Sequence, residues 1–267
     1  MKEDSPTVRS QEITLGGHTT HFWKGGAGPG LLLLHAAWGD AEMSWNRTWD
    51  KFSGSYTVVA PDLPGFGRSS PLHKPSLSEM AKRLKELIDA LHLDQVIAVG
   101  NSLSAAVAIQ FVNDYPNAVS RLVLVNGGYM PLIPGPVRKI IALPIVNRVF
   151  RRLIRHLTFS LQTLKRSFAD SSQLPAGFFN RIQKHAPAYS RISFDIVMNM
   201  SESLAKPSVP TLLVWGAQDG LATMKQARAL QKWIPEARLI TIEGAGHMPQ
   251  VERPHEFVTA IRETAIG

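Results

Sequence analysis

The chain has 267 residues, a net charge of +8, 44% hydrophobic and 19% charged residues, and no cysteine. That size and balance exclude a small stapled module, a disordered tail, a collagen and a coiled coil. The absence of cysteine excludes a disulfide framework, a thiolate nucleophile and any Cys-ligated zinc or iron–sulfur centre. The first ten residues, MKEDSPTVRS, are polar and mixed in charge, which predicts no signal peptide, and apolar runs such as Leu31–Leu34 are too short to span a bilayer. A soluble, cytoplasmic protein is expected.

Two alternating segments, Val8–Leu15 and Thr19–Trp23, joined by Gly16-Gly17, predict an antiparallel hairpin. A glycine-rich stretch over 25–30 leads into the apolar run Leu31–Leu34, and a second run, Tyr56–Ala60, precedes Pro61-Asp62. Met80, Leu84, Leu87, Ile88 and Leu91 recur at helical spacing and predict a helix over Ser78–Leu91. Strand Gln95–Val99, helix Leu103–Asp114 and strand Arg121–Val125 follow. Strand Thr211–Trp215, helix Met224–Trp233, strand Arg238–Ile242 and helix Pro254–Ala265 complete the rhythm. Short apolar strands alternating with helices predict an α/β protein with a mostly parallel sheet of about eight strands, flanked by helices on both faces.

Residues 129–206 break that rhythm with helical stretches, several prolines and no convincing strand, so they read as a helical insertion within a core of 1–128 and 207–267. The same segment holds 12 Lys+Arg against 3 Asp+Glu, whereas the rest holds 17 against 18, so all the excess charge is here. No helix-turn-helix, zinc module or aromatic RNA platform accompanies it, and no nucleic-acid partner is expected. Between Val137 and Leu157, apolar Val137, Ile140, Ile141, Ile145, Val149, Leu153 and Leu157 alternate with Arg138, Lys139, Arg148, Arg151, Arg152 and Arg155. Pro144 interrupts them, which predicts two short amphipathic helices whose apolar stripe packs inward. Contact of the basic face with a membrane surface is a secondary reading.

Ligands of open parallel sheets bind beyond the carboxyl ends of the strands. After Val96–Val99 comes Gly100-Asn101-Ser102-Leu103-Ser104, a serine at a sharp strand-to-helix turn beside free helix N–H groups. Asp219 follows Leu212–Trp215, and His247 follows Leu239–Ile242 within Glu243-Gly244-Ala245-Gly246-His247. A serine hydroxyl needs an imidazole to take its proton, and the imidazole needs a carboxylate to hold its tautomer. Ser, Asp and His at successive strand ends supply that set.

With these residues in place the chain resembles the α/β-hydrolase superfamily over nearly its whole length. His35-Ala36-Ala37-Trp38-Gly39 resembles the family's His-Gly oxyanion loop, and Asp62-Leu63-Pro64-Gly65-Phe66-Gly67-Arg68-Ser69 its Asp-x-x-Gly-x-Gly-x-Ser turn. The resemblance implies Ser102 as nucleophile, Asp219 as orienting acid and His247 as base, with a pH optimum that is neutral to alkaline because the base must be neutral. It implies the backbone N–H groups of Ala37 and Leu103 as oxyanion donors, worth about 3 kcal/mol each. It also implies that 129–206 is a cap, with no metal or organic cofactor. Ala36 and Ser104 depart from the family by standing where glycine is usual; both are small, so the turns are expected to survive.

Other polar residues read as structural. Asp62 and Arg68 tie their turn together, His35 braces its loop, and His18 and His21 have no metal-site spacing. His255 reads as exposed. Asn126 occupies a position where some relatives keep their acid, but an amide carries no charge. Trp38, Met130 and Met248 are expected to contact substrate, with Met198 a further pocket residue. A serine at the elbow disfavours dehalogenase and epoxide hydrolase chemistry, which use aspartate there. Met248-Pro249 after the histidine departs from the tryptophan of ring-cleavage C–C hydrolases, and the extra cap polar groups of hydroxynitrile lyases are not identified. The expected reaction is hydrolysis of a small-molecule ester or lactone, acyl homoserine lactones included, with the C–C hydrolase as alternative and a non-enzymatic relative disfavoured by the intact set.

Overall fold

Side chains alternate across a strand, so a run of aliphatics must find cover on both faces. Leu32 and Leu34 enter one buried cluster while Leu31 and Leu33 enter another. The same split separates Leu122 and Leu124 from Val123 and Val125. The computed structural model describes residues 8–265 apart from 129, 131 and 201. Residues 1–7, over which the absence of a signal peptide was expected, and Tyr129, the expected start of the insertion, lie outside the described residues.

The strands are β1 (Arg9–Leu15), β2 (His18–Gly25), β3 (Gly30–Leu34), β4 (Thr57–Pro61), β5 (Val96–Asn101), β6 (Val119–Val125), β7 (Thr211–Gly216) and β8 (Arg238–Ile242). They form one sheet in the order β1-β2-β4-β3-β5-β6-β7-β8. β1 pairs antiparallel with β2 and β2 with β4; the other pairs are parallel. The hairpin turns at Gly16 and Gly17, whose φ values of 53° and 79° suit a two-residue connection.

The helices between the early strands are α1 (Ala41–Trp45), α2 (Trp49–Ser53), α3 (Leu77–Ala90) and α4 (Leu103–Asp114). Ser76 starts α3 by accepting the N–H of Glu79 at 3.2 Å, a side-chain N-cap. Between β6 and β7 run α5 (Gly135–Ile141), α6 (Pro144–Phe159), α7 (Leu161–Ser167) and α8 (Phe178–Asn199). α9 (Met224–Trp233), α10 (Pro249–Glu252) and α11 (Pro254–Ala265) follow β7 and β8. Trp45, Phe52, Phe257 and Ile261 cover one sheet face; Leu84, Ile88, Ile109 and Phe111 cover the other.

Pro144 falls at the first turn of α6, where its missing N–H costs nothing, so the two helices end and begin where the sequence placed the break. Of their apolar stripe only Ile141 is buried; the rest does not pack inward. Ile140 is 57% exposed, Ile145 77%, Val149 62%, Leu153 47% and Leu157 56%. The inner side of α6 is occupied by other residues. Phe150 lies 6.3 Å from the Phe194 ring of α8, and Arg151 bonds Asp195 at 2.5 Å. These contacts of α6 with α8 are thus made without the stripe, most of which is left facing out.

Candidate active site

Ser102 links β5 to α4 at φ 61° and ψ −116°, a positive φ that side-chain-bearing residues rarely adopt. The turn survives because its surroundings are built for it. A Cβ on Gly100 would lie 2.5 Å from the Ser104 carbonyl oxygen, and one on Gly127 would lie 2.3 Å from that of Ser102. The Ser102 N–H donates to Val125 O at 2.9 Å, tying the turn to the end of β6.

Ser104 is fully buried, and its hydroxyl has taken over a structural task. It lies 2.8 Å from Leu34 O and 3.0 Å from Asn101 O, and accepts the Asn101 N–H at 2.9 Å. Leu34 closes β3 immediately before the 35–39 loop, so this one side chain joins that loop's root to the first turn of α4. Asn101 adds a second tie, donating to Val125 O at 3.0 Å and His247 O at 3.1 Å while accepting from Gln250 Nε2 at 3.0 Å.

The three residues expected to act together are brought together. His247 Nε2 lies 2.8 Å from Ser102 Oγ, and His247 Nδ1 lies 2.7 Å from Asp219 Oδ2. Asp219 is held by four donors: Leu221 N–H (2.7 Å) and Ala222 N–H (3.0 Å) on Oδ1, and Asn126 Nδ2 (2.6 Å) together with His247 on Oδ2. An acid so fully bonded keeps an acceptor aimed at Nδ1, which leaves Nε2 facing Ser102 Oγ.

Asn126 does more than the sequence suggested. It sits at φ 45°, a left-handed conformation that asparagine tolerates, and its Oδ1 accepts the Gly216 N–H at 3.1 Å. One amide therefore orients Asp219 and joins the end of β6 to the end of β7. The signal available in the sequence was its place at a strand's carboxyl end; the amide needs no charge to do this.

Glu252 was not foreseen. Its carboxylate is buried and accepts the N–H groups of Gly246 (2.9 Å), Met248 (3.3 Å) and Ala169 (2.7 Å), while Ser167 O accepts the His247 N–H at 2.7 Å. Burial pushes its carboxyl above the ordinary value, opposed by those three N–H donors. The histidine's loop is thereby anchored on both sides, to α10 and to the end of α7. Gly246 permits the approach: a Cβ there would lie 2.2 Å from Ser167 O.

His35 accepts the Leu63 N–H on Nε2 at 2.9 Å and donates from Nδ1 to Ala36 O at 2.8 Å. Complete burial lowers its pKa, against the opposing charge of Asp62, so the ring stays neutral and braces the 36–39 loop. Asp62 accepts Ala41 N–H (2.9 Å) and Arg68 N–H (3.0 Å) and bonds His21 Nδ1 (2.8 Å), which ties its turn to β2 and α1. Among the described residues no cluster of His, Asp or Glu is arranged to hold a metal ion.

Trp38 is buried and lays its ring against His247, with centroids 4.7 Å apart, and reaches Phe168 at 5.9 Å. Met248 is 1% exposed within the main core. Met130 lines a cavity of about 340 Å³ with Gly128, Leu132, Leu204, Leu230 and Trp233, a wall that includes none of Ser102, Asp219 and His247. Met198 is half-buried near the end of α8.

The family model described as the alpha/beta hydrolase fold matches residues 29–254. The chain belongs to the α/β-hydrolase family. This hydrolase is 30% identical over 236 residues to Lipase 1 of Psychrobacter immobilis, covering 85% of this chain and 73% of that protein. It is 27% identical over 260 residues to a pyrrolizixenacetamide deacetylase of Xenorhabdus hominickii, covering 94% and 96%. A solved structure of a lipase-like protein from Acinetobacter baumannii superposes with a TM-score of 0.78 at 22% identity over 97% of this chain and 91% of the other, a likeness of fold. The hydrolase has no helix, among the described residues, long and apolar enough to cross a membrane.

Proposed function

We propose that this α/β-hydrolase cleaves carboxylic esters or lactones of small to medium apolar acyl groups through an acyl-enzyme on Ser102. The observation that carries the reading is the hydrogen-bonded line from Ser102 Oγ through His247 to Asp219, on a turn whose positive φ holds the hydroxyl out of the sheet. Ser102 Oγ attacks the carbonyl carbon as its proton passes to His247 Nε2. The imidazolium that forms is stabilised by Asp219. The carbonyl oxygen becomes an oxyanion, accepting from the N–H groups of Ala37 and Leu103; the latter stands at the first position of α4 and has no intrahelical acceptor. The intermediate collapses as His247 gives its proton to the departing alkoxide, releasing the alcohol, or opening the ring of a lactone. Water then attacks the acyl carbonyl with His247 as base, and the acid leaves with Ser102 restored.

Residues 129–206 act as the cap of this reading. Trp38 walls the acyl side, since its ring already rests on His247. No cofactor takes part. The test is a chain-length series of chromogenic acyl esters with acyl homoserine lactones alongside, using wild type and Ser102→Ala. Turnover that peaks at short to medium chains and vanishes in the variant supports the reading; a wild type inert on all of them, or a variant as active as wild type, overturns it.

A further inference from the structure

We propose that the outward row of α6, continued by α5, is a docking surface for the anionic face of a lipid bilayer. Among the described residues, nine of the ten exposed large hydrophobic side chains fall between Leu132 and Leu161. Such a concentration departs from the scattered single exposures of an ordinary soluble surface. Ile145, Val149, Leu153 and Leu157 stand four residues apart, so they form one continuous line along α6. Val137 and Ile140 extend it onto α5.

The charge beside that line identifies the occupant. Arg148, Arg152 and Arg155 are exposed and lie along one flank of the aliphatic row at three- and four-residue spacing. They and Lys139 have no hydrogen bond or ion pair with any described residue. Arg151, turned inward, shows the contrast: it is paired with Asp195 and lies 4.9 Å above the Phe194 ring. Residues 135–159 contain no Asp or Glu at all. An aliphatic ridge beside unpaired guanidinium groups matches acyl chains beside anionic headgroups, the pattern of a helix lying in the interface plane. An antiparallel two-fold contact with a second copy of the chain fits poorly, because it would set the arginine rows against each other. The surface is also tied to the site: α6 continues into α7, whose last residue receives the His247 N–H. The proposal does not depend on the substrate, since binding is read without turnover.

The experiment is co-sedimentation of the full chain with vesicles of phosphatidylcholine alone and of an equimolar mixture with phosphatidylglycerol, at low and high salt. Binding is expected to the mixed vesicles, weakening with salt, and to be much weaker to phosphatidylcholine. Replacing Arg148, Arg152 and Arg155 together by Gln removes three charges, each worth about fivefold next to an anionic leaflet, and lowers partition by about a hundredfold. The double variant Val149→Asp/Leu153→Asp is expected to abolish binding. A control that removes Lys82, Lys225 and Lys232 in the same way is expected to bind nearly as wild type. Melting temperature and hydrolysis of a short soluble ester report that each variant is folded. No binding of wild type to the mixed vesicles at low salt, equal binding to both vesicle types, or equal losses in the lysine control overturns the proposal. A concentration-dependent dimer that the double variant abolishes, without vesicle binding, would assign the face to a second copy and overturn it too.

Discussion

The hydroxyl of Ser104 offers a direct test of how the nucleophile turn is held. In Ser104→Ala the Asn101 N–H loses its acceptor and Leu34 O loses a 2.8 Å donor, both in a site with no exposure. A buried N–H left unpaired costs about 1–3 kcal/mol, and the lost bond to Leu34 about 1 kcal/mol more, so the variant is destabilised by about 2–4 kcal/mol. For a chain of this size that is a fall of roughly 5–10 °C in Tm. The same hydroxyl spaces the root of the 35–39 loop from the start of α4, the two segments that carry the oxyanion N–H groups in the proposed mechanism. Ser104→Ala is therefore expected to lower kcat by about tenfold, with KM little changed, as befits a loss felt in the transition state. Calorimetry or dye-monitored melting beside steady-state kinetics on one ester reads both quantities. A Tm within about 2 °C of wild type with unchanged kcat would refute the reasoning, because it would mean that the three contacts of this side chain carry no net free energy.

Asn126→Gly keeps the positive φ open while deleting the amide that bonds Asp219 and Gly216; kcat is expected to fall about tenfold, the equivalent of one hydrogen bond to a charged group, and wild-type turnover would contradict the role. His35 is neutral when folded because burial lowers its pKa below the ordinary 6.5. The unfolded chain alone takes up this proton as the pH drops, so stability contributed by a neutral His35 is lost below pH 6.5 at up to about 1.4 kcal/mol per pH unit. His35→Gln should lack that component, seen as a smaller fall in Tm between neutral and mildly acid buffers. Glu252 has the opposite sign: its raised pKa means that the burial cost enters only as the pH climbs above the ordinary 4.5. The stability advantage of wild type over Glu252→Gln should therefore shrink from acid to neutral pH in paired melting curves, and an advantage that grows instead would contradict this.

What could be read from the sequence follows from how local each signal is. The central strands are aliphatic over most of their length, and Ser102, Asp219 and His247 follow the ends of β5, β7 and β8 by one, three and five residues, so their order and placement were legible in the sequence. The short helices α1 and α2 were not, because five residues give too little periodicity to register. Ser104 looked like a mere departure from glycine; that its hydroxyl reaches Leu34, seventy positions earlier, is information only the fold contains. Glu252 and Asn126 were missed as partners of the site for the same reason: their contacts cross between elements far apart in the chain. The inward packing expected of the Val137–Leu157 stripe failed for all but Ile141, because an amphipathic pattern states that two faces differ without stating which one meets the protein.

The most direct test of the central claim is intact-mass spectrometry of the hydrolase after reaction with a fluorophosphonate ester, followed by peptide mapping, on wild type and Ser102→Ala. The account predicts one phosphonyl adduct per chain, on Ser102, with matching loss of ester hydrolysis, and no adduct in the variant. An adduct on another residue, or an unmodified wild type that still turns over the ester, would contradict Ser102 as the nucleophile.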